Sequence, residues 1–384
     1  MIDIKDKKKC VGCSACVQCC PKQCISFSVD GEGFRYPLVD RSLCIDCGLC
    51  ERVCPVINQA RPRVPLDTLA AVNPDEKVRL QSSSGGVFSQ LAEAVIDRGG
   101  VVFGARFDAD WRVVHDFTES REGISAFRGS KYTQSDMGDS FRRVRDFLDD
   151  GRFVLFSGTP CQVAGLRLFL RKEYENLLTV DFICHGVPSP EVFRRYLSES
   201  LAEAGASVKD VRHISFRDKS SGWKQYSLAV DFDAPDSSSP GRICERNVDN
   251  RFLRGFVRDF YLRPSCSECP AKELKSGSDI TLGDLWDPEL YSSDIPNDDK
   301  GIGLVMANTD KGLSFARECC GEHYTVDFSK IAGNNVSLKQ SSPMKFPRRQ
   351  FFWMRNIPVA ERVRILTELR FVQRHLSVIK SIFK

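Results

Sequence analysis

The sequence predicts a mixed α/β protein with a small cysteine-dense N-terminal domain and a larger domain of alternating strands and helices. Ten of the seventeen cysteines lie within the first 54 residues. From about residue 68, short buried strands alternate with amphipathic helices, as in sheets covered by helices. We therefore expect an α+β or α/β architecture. The expected domains are residues 1–60, residues 68–330 (in two parts, 68–150 and 151–330) and a basic helical tail over 331–384.

Hydrophobic periodicity predicts the elements of the larger domain in order. Helices are predicted where apolar residues recur on one face, and strands where short buried runs end at turn residues. The predicted helices cover residues 87–96, 139–148 and 160–172. The predicted strands cover residues 101–107, 153–156, 178–183, 226–232, 280–285, 302–307 and 324–328.

Length and composition restrict the class of protein. The 384 residues exceed one ordinary core, and 42% hydrophobic with 28% charged residues is typical of a globular chain. No apolar run approaches the roughly 18 residues that a membrane span requires. The first nine residues are polar and lysine-rich, with no apolar stretch behind them, so the expected location is the cytoplasm.

Two cysteine runs of identical spacing, Cys-x2-Cys-x2-Cys-x3-Cys-Pro, define the N-terminal domain. Three closely spaced thiolates can wrap one 4Fe–4S cluster, and the fourth cysteine crosses to the other cluster, as in bacterial ferredoxins. The predicted ligands are Cys10, Cys13, Cys16 and Cys54 for one cluster, and Cys44, Cys47, Cys50 and Cys20 for the other. Zinc is the alternative, but zinc sites use paired ligands, often with His, and residues 1–60 contain no His. Two adjacent clusters imply an electron relay.

A further set of cysteines lies in the larger domain. Cys161 and Cys184 each follow a predicted strand, and Cys266 and Cys269 form a CxxC between two prolines. Ligands gather beyond the carboxyl ends of strands in open α/β sheets, so four thiols there would suffice for a third 4Fe–4S cluster. By spacing alone, the CxxC also fits a zinc half-site, a redox pair or chance.

A serine- and glycine-rich segment, residues 82–86, precedes the first predicted helix of this domain. Its glycines permit a ligand to approach the backbone, and a helix N-terminus favours a phosphate. A plain serine cap is the alternative interpretation. Residues 129–133, Gly-Ser-Lys-Tyr-Thr, would add a cation and hydroxyls, and the loop at Thr159 would bring a cluster close. Relay clusters need a group that exchanges one or two electrons, which flavin does.

These motifs together resemble the coenzyme F-420 hydrogenase/dehydrogenase beta subunit family over residues 77–300. The matching stretches are Ser84-Gly85-Gly86, Ser130-Lys131-Tyr132-Thr133, Thr159-Pro160-Cys161-Gln162, Cys184, Cys266-x2-Cys269 and residues 278–284. Beta subunits of this family bind FAD and one 4Fe–4S cluster and reduce or oxidise a deazaflavin. The resemblance implies that Cys161, Cys184, Cys266 and Cys269 ligate a third cluster. It also implies that FAD lies near Ser84, Gly85, Gly86, Lys131, Tyr132, Thr133 and Thr159.

The expected function is that of an iron–sulfur flavoprotein oxidoreductase. Electrons would pass between three 4Fe–4S clusters and FAD, which would exchange a hydride with the deazaflavin or another small molecule. The alternative is a non-catalytic electron-transfer subunit of a larger redox complex. Either hypothesis expects a redox partner protein, such as a ferredoxin or another subunit, and no nucleic acid. His185 is considered as a proton donor, or alternatively as a hydrogen-bonding neighbour of the third cluster.

The C-terminal tail is strongly basic. Residues 331–384 carry eleven Lys and Arg against two Glu, although the whole chain has a net charge of only +4. Residues 358–384 predict an amphipathic helix, with apolar positions that include Val363 and Leu366. Such a helix either docks on the body of the protein or contacts an acidic partner or an anionic membrane surface.

Overall fold

The N-terminal domain is a short hairpin flanked by two short helices. The structure, a computed structural model, describes residues 1–234 and 240–368. In this domain the elements are α1 (Ala15–Cys19), β1 (Ile25–Val29), β2 (Arg35–Val39) and α2 (Leu49–Arg52). Strands β1 and β2 pair in antiparallel fashion. Cys16 of the first run lies in α1 and Cys50 of the second run lies in α2, so the hairpin separates the two runs along the chain.

The larger domain begins where the proline-containing linker ends. Its elements are β3 (Asp67–Ala71), α3 (Glu76–Gln81), α4 (Val87–Asp97), β4 (Val101–Phe107), β5 (Val113–Thr118), α5 (Ile124–Phe127), α6 (Ser140–Asp149), β6 (Val154–Ser157), α7 (Pro160–Leu170), β7 (Leu177–Phe182), α8 (Pro190–Glu203), β8 (Val211–Asp218), β9 (Ser227–Phe232), β10 (Gly241–Arg246), α9 (Arg251–Val257), β11 (Ile280–Asp284), β12 (Gly303–Ala307), α10 (Asp310–Cys319), β13 (His323–Thr325), α11 (Phe328–Asn334), α12 (Val336–Lys339) and α13 (Pro347–Trp353). Residues 359–368 form a further helical segment.

An eight-stranded mixed sheet organises this domain, in the order β13-β3-β12-β11-β7-β6-β4-β5. The four central strands β4, β6, β7 and β11 run parallel. The outer strands β5, β12, β3 and β13 each pair antiparallel with an inner neighbour. The carboxyl ends of the four parallel strands therefore lie at one edge, where α/β sheets bind ligands.

The period-two alternation of the strands gives the sheet two buried faces. Val101 and Phe103 of β4 pack with α6 and α7 on one face, whereas Val102 packs with α4 and α10 on the other. The face under α6 and α7 also buries Val11 and Val53 of the N-terminal domain. That domain therefore packs against the layer formed by α6 and α7, and Cys161 lies in the first turn of α7.

A second, three-stranded antiparallel sheet (β10-β9-β8) packs with α8 and α9. The same core buries Phe351, Val359, Val363 and Leu366. The described part of the predicted basic tail is therefore docked on the body. The remaining positions of that predicted helix, beyond residue 368, lie outside the described residues.

Most predicted elements are confirmed to within one or two residues. The predicted strand over 324–328 is wrong in its second half, because β13 ends at Thr325 and Phe328 starts α11. Asp327 caps that helix by accepting from the backbone N–H of Ser329, which ends the extended conformation. Among the described residues, no helix is long and apolar enough to cross a bilayer.

Candidate functional site

The backbone of each N-terminal cysteine run turns in the same way. In the first run, Gly12 and Ser14 on either side of the second cysteine have φ of 72° and 69°. In the second run, Asp46 and Gly48 occupy the equivalent positions with φ of 50° and 70°. Left-handed residues on both sides of the middle cysteine curl the chain, so that three thiols can face one centre.

The thiols line two small pockets in the combination that the crossed pattern predicts. One pocket, of about 20 Å³, is lined by Cys10, Cys13, Cys16 and Cys54. We call it the first-run site. A second pocket, also of about 20 Å³, is lined by Cys20, Cys44, Cys47 and Cys50, together with Cys24. We call it the second-run site. The fourth cysteine of each run thus lies with the other run.

The second-run site has a fifth thiol. Cys24, which falls outside the spacing pattern of the two runs, is buried with its Sγ 3.4 Å from that of Cys20. Cys47 in the same site is exposed. The two sites therefore have the same ligand pattern but different access to solvent.

The thiols of the first-run site fit a cationic cluster. Burial, followed by the negative charge of neighbouring thiols, raises the pKa of Cys13 well above the usual thiol value, and Cys16 is raised for the same reasons. Such thiols become thiolates only beside positive charge, which iron ions supply. Among the described residues, no three His, Cys, Asp or Glu side chains converge on a single-ion site. A 4Fe–4S cluster needs thiols spaced around four irons instead.

Four of the cysteines of the larger domain come together from three segments of the chain. Cys161 lies in the first turn of α7, Cys184 follows β7, and Cys266 and Cys269 lie at the 3-10 turn Pro264–Glu268. The backbone N–H of Val187 donates to Cys266 Sγ at 3.4 Å, which links the second and third segments. We call these four thiols the third site.

The third-site thiols influence one another electrostatically. Burial and then the charge of Cys269 raise the pKa of Cys161 to about 12. Burial raises the pKa of Cys266 to about 11, and that of Cys184 lies well above the ordinary value. As at the first-run site, thiols with a raised pKa suit a cluster that supplies positive charge.

A cavity of about 460 Å³ lies beyond the carboxyl ends of the parallel strands, next to the third site. It is the kind of concave space that takes a cofactor or substrate. All seven residues expected near FAD line it, namely Ser84, Gly85, Gly86, Lys131, Tyr132, Thr133 and Thr159. Cys184 and His185 line it as well, so the cavity and the third site share a wall.

The serine-rich loop before α4 is held in place by backbone and hydroxyl contacts. Ser84 Oγ donates to the carbonyl of Ile302 at 2.6 Å, and Ser83 Oγ lies 2.8 Å from Ser130 Oγ. Gly85 has a packing reason to be glycine, because a Cβ there would lie 2.4 Å from the Ala71 carbonyl oxygen. The loop therefore packs closely against the paired residues Ala71 of β3 and Gly303 of β12, and it places the N-terminus of α4 at the cavity.

Two donor atoms of residues in the cavity wall, Thr133 Oγ1 and Arg217 Nε, have no hydrogen-bond partner in the described part of the chain. Thr133 is buried, and its Oγ1 makes no hydrogen bond among the described residues. The same holds for Nε of Arg217, a side chain that is 5% exposed. Lys131 Nζ donates to the carbonyls of Ala126 and Arg128, and burial lowers its pKa to about 7. A ligand with phosphate and carbonyl oxygens, such as FAD, would satisfy these donors.

Thr159 has a mainly structural part in this wall. Its backbone N–H and its Oγ1 both donate to Gln162 Oε1, at 2.9 and 3.0 Å, which caps α7. Gln162 in turn donates to Ser135, the partner of His115 Nδ1. The capping interaction fixes the helix turn that carries Cys161.

An aromatic and cationic group on the opposite wall was not predicted from the sequence. Arg217 Nη1 donates to Asp284 Oδ2 at 3.1 Å, and its guanidinium lies 4.1 Å from the Tyr226 ring centroid. Trp286 lines the cavity with its ring stacked 4.3 Å from that of Trp223. The sequence signal was only the end of the 278–284 motif, whose last residue is Asp284.

His185 is held by a buried carboxylate. Its Nε2 lies 2.8 Å from Oδ1 of Asp259, which is 3% exposed. Asp259 also forms an ion pair with Lys345 at 2.6 Å, and these two partners outweigh burial and lower the pKa of this carboxyl group. The imidazole thus lies in contact with this carboxylate at the cavity wall beside the third site.

The fold and the cysteine sites together define an iron–sulfur protein of the electron-transfer class. Residues 9–58 match the model of the 4Fe–4S dicluster domain. Residues 68–141 match the model of the coenzyme F-420 hydrogenase/dehydrogenase beta subunit N-terminus, and residues 151–328 match that of its C-terminus. The chain therefore belongs to the coenzyme F-420 hydrogenase/dehydrogenase beta subunit family and carries an N-terminal dicluster domain.

Comparison with solved structures finds a chain of the F-420-reducing NiFe hydrogenase complex from Methanosarcina barkeri, in a xenon-derivatised form. The two chains are 16% identical, with a TM-score of 0.47, and the match covers 70% of this chain and 84% of that chain. The comparison with curated proteins finds no match.

Proposed function

We propose that the protein is an iron–sulfur flavoprotein oxidoreductase that passes electrons between three 4Fe–4S clusters and FAD. Bound FAD would exchange a hydride with a two-electron substrate, the deazaflavin coenzyme or another small molecule. The observation that carries this proposal is the shared wall between the third site and the 460 Å³ cavity, to which both Cys184 and His185 belong.

The residues of the cavity divide the work of holding FAD. Lys131 and the N-terminus of α4 offer positive charge to its phosphates. Thr133 Oγ1 and Arg217 Nε are donors without a partner in the described structure, and each would pair with a ligand oxygen. The aromatic wall at Tyr226 and Trp286 would face the planar part of a ligand.

The exposed second-run site supports an exchange of electrons with a protein partner. Cys47 is exposed, and Leu43 and Ile45 beside it are 56% and 58% exposed. An apolar surface around a solvent-exposed cluster is suited to a transient redox contact. A ferredoxin or another subunit is the expected partner at this surface.

Turnover by the isolated protein tests the proposal. Protein purified without oxygen would be supplied with a chemical one-electron donor and either the deazaflavin or another hydride acceptor. We expect reduction of a hydride acceptor that depends on bound FAD. A matched sample stripped of flavin is the control, and it should still reduce one-electron dyes.

The second candidate function is that of an electron-transfer subunit of a larger complex. The exposed second-run site favours it, because that site gives a partner direct access. In this case the isolated protein would reduce one-electron dyes but no hydride acceptor, with or without flavin. That result would contradict the enzyme proposal.

His185 is the candidate proton donor to the substrate. The buried Asp259 positions its ring at the cavity wall, as required of a general acid. His185→Gln should lower the rate of substrate reduction while the reduction of one-electron dyes stays unchanged. Unchanged substrate turnover in a fully loaded variant would remove His185 from the chemistry.

A further inference from the structure

One arginine joins the first-run site to the third site. Arg263 is 1% exposed and directly precedes the 3-10 turn that carries Cys266. Its Nε donates to the carbonyl of Cys10 at 2.7 Å, and its Nη2 lies 3.5 Å from Cys10 Sγ as a hydrogen-bond donor. Its backbone carbonyl accepts from the N–H of Cys266 at 2.9 Å. A single residue thus contacts a predicted ligand of each site.

Hydrogen bonds and an aromatic ring hold the Arg263 guanidinium in one orientation. Nη1 donates to Gln134 Oε1 at 2.9 Å, and Nη2 donates to the carbonyl of Arg35 at 2.8 Å. Its planar group lies 4.4 Å from the ring centroid of Tyr36. A Cβ on Gly12 would meet Nη1 at 2.9 Å, so the first cysteine run closes tightly over the guanidinium. This charge is buried and held, unlike that of a surface arginine.

The first-run site touches the third-site segments at two more places. Lys8 and Lys9 form ion pairs with Glu268, at 2.9 and 2.7 Å, within the same 3-10 turn. A Cβ on Gly165 of α7 would lie 2.8 Å from Cys13 Sγ, so Cys13 packs directly against the helix that carries Cys161. The second-run site instead faces the chain terminus, where the amino group of Met1 lies 3.0 Å from Glu51.

We propose that Arg263 is a positioning residue that holds the first-run site next to the third site, so that electrons pass between the clusters of these two sites. Its buried charge raises the reduction potential of the first-run cluster. The proposal rests on the proposed function, since it needs clusters at both sites. A single electron that crosses leaves one site oxidised and the other reduced by one electron. Reduction adds negative charge to a cluster, so a fixed cation and an N–H donor to Cys10 Sγ favour the reduced form.

The charge of Arg263 also reaches the third site. Arg263 lies three residues before Cys266 in the chain, and its backbone carbonyl accepts from the Cys266 N–H at 2.9 Å. The third-site cluster should therefore respond in the same direction as the first-run cluster, but less. Within the described part of the chain, the Arg263 side chain makes hydrogen bonds to Cys10, Gln134 and Arg35 and none to a second-run thiol, so the second-run cluster serves as the internal reference.

An anaerobic redox titration followed by electron paramagnetic resonance tests this with Arg263→Gln. We expect the equilibrium constant for reduction of the first-run cluster to fall about tenfold, which lowers its reduction potential by about 59 mV for one electron. The potential of the third-site cluster should shift less in the same direction, and the potential of the second-run cluster should not change. Arg52→Gln is the matched control, because Arg52 donates to the Cys47 carbonyl at 3.1 Å from an exposed position. Solvent screens that charge, and the control should leave all three potentials unchanged.

Arg263→Lys keeps the proposal testable if the glutamine variant loses iron. Lysine retains the charge but cannot reproduce the fork that reaches Cys10 and Arg35 together, so a smaller shift of the same cluster is expected. Three clusters with unchanged potentials in a fully loaded variant would overturn the role of Arg263 alone. A wild-type protein with only two clusters would instead overturn the proposed function.

Discussion

Two kinds of space in this protein differ in size and lining. The cysteine pockets of the N-terminal domain hold about 20 Å³ each and are lined by thiols and apolar side chains. The cavity at the sheet edge holds about 460 Å³ and is lined by hydroxyls, Lys131, Arg217 and aromatic rings. The first kind can hold an inorganic cluster and little else. The second can admit an organic molecule.

This difference shows that the space suited to metal clusters is built separately from the space suited to an organic ligand. Three thiols of each pocket come from one short turning run and the fourth comes from the other run, so each pocket is built from cysteines within residues 10–54. The cavity is built from loops that are far apart in the sequence, such as those at Ser84 and Asp284, which are 200 residues apart. Its properties therefore depend on packing, and substitutions in the two regions should fail in different ways.

The largest expected effect comes from Cys184, the thiol that the third site shares with the cavity. Cys184→Ala should lose a whole cluster, about four irons per chain, if Cys184 is a ligand of the third site. Cys320→Ala is the matched control, since Cys320 is a buried thiol of the larger domain that packs in an apolar core away from the cysteine sites. Iron content per chain measures both. An unchanged iron content in Cys184→Ala would make this residue a neighbour and not a ligand.

Gly85→Ala should break the cavity without touching the cysteine pockets. The new Cβ would lie 2.4 Å from backbone atoms of Ala71 and Gly303, which cannot give way as a flexible side chain can. We expect a loss of about 3 kcal/mol in the free energy of unfolding. Gly321→Ala, with nothing within 4 Å of its added Cβ, should be nearly neutral. Equal denaturation midpoints for the two variants would contradict this packing.

Lys131→Gln should separate ligand binding from stability. A charged hydrogen bond to phosphate contributes about 2 kcal/mol, so the Kd for FAD should rise roughly 30-fold while iron content is retained. Lys172→Gln removes an exposed lysine outside the cavity and should leave the Kd unchanged. Flavin titration by fluorescence gives both values. Equal affinities for the two variants would exclude Lys131 from the FAD site.

The same lysine predicts a smaller, pH-dependent effect. Burial lowers the pKa of Lys131 to about 7, and a nearby phosphate raises it, because the charged form is stabilised by the anion. FAD should therefore bind most tightly below pH 7 and lose affinity as the pH rises above it, by at most about tenfold per pH unit. In Lys131→Gln the affinity should not change over this range. A wild-type affinity that rises with pH would have the wrong sign.

The cysteine runs could be predicted almost completely from the sequence because their geometry is local. Spacing alone gave the crossed pattern that the two pockets show, with Cys54 and Cys20 exchanged between the runs. The strands and helices were predictable from periodicity for the same reason. The strand predicted over 324–328 failed because a capping aspartate, Asp327, starts a helix within it.

The remainder of the site could not be predicted because it depends on pairs that only the fold brings together. Arg217 meets Asp284 across 67 residues, and Arg263 meets Cys10 across 253. Each is one arginine among many in the sequence, with no motif around it. The docking of Val363 and Leu366 is an intermediate case, since their helical spacing marked an apolar face but not its partner.

The amount of iron, sulfide and flavin in protein purified without oxygen tests the central claim most directly. Three 4Fe–4S sites and one occupied cavity predict about twelve irons, twelve sulfides and one FAD per chain. About eight irons and no flavin would contradict the account. The cavity and the third site would then be a family fold that carries no cofactor, with electron transfer confined to the N-terminal domain.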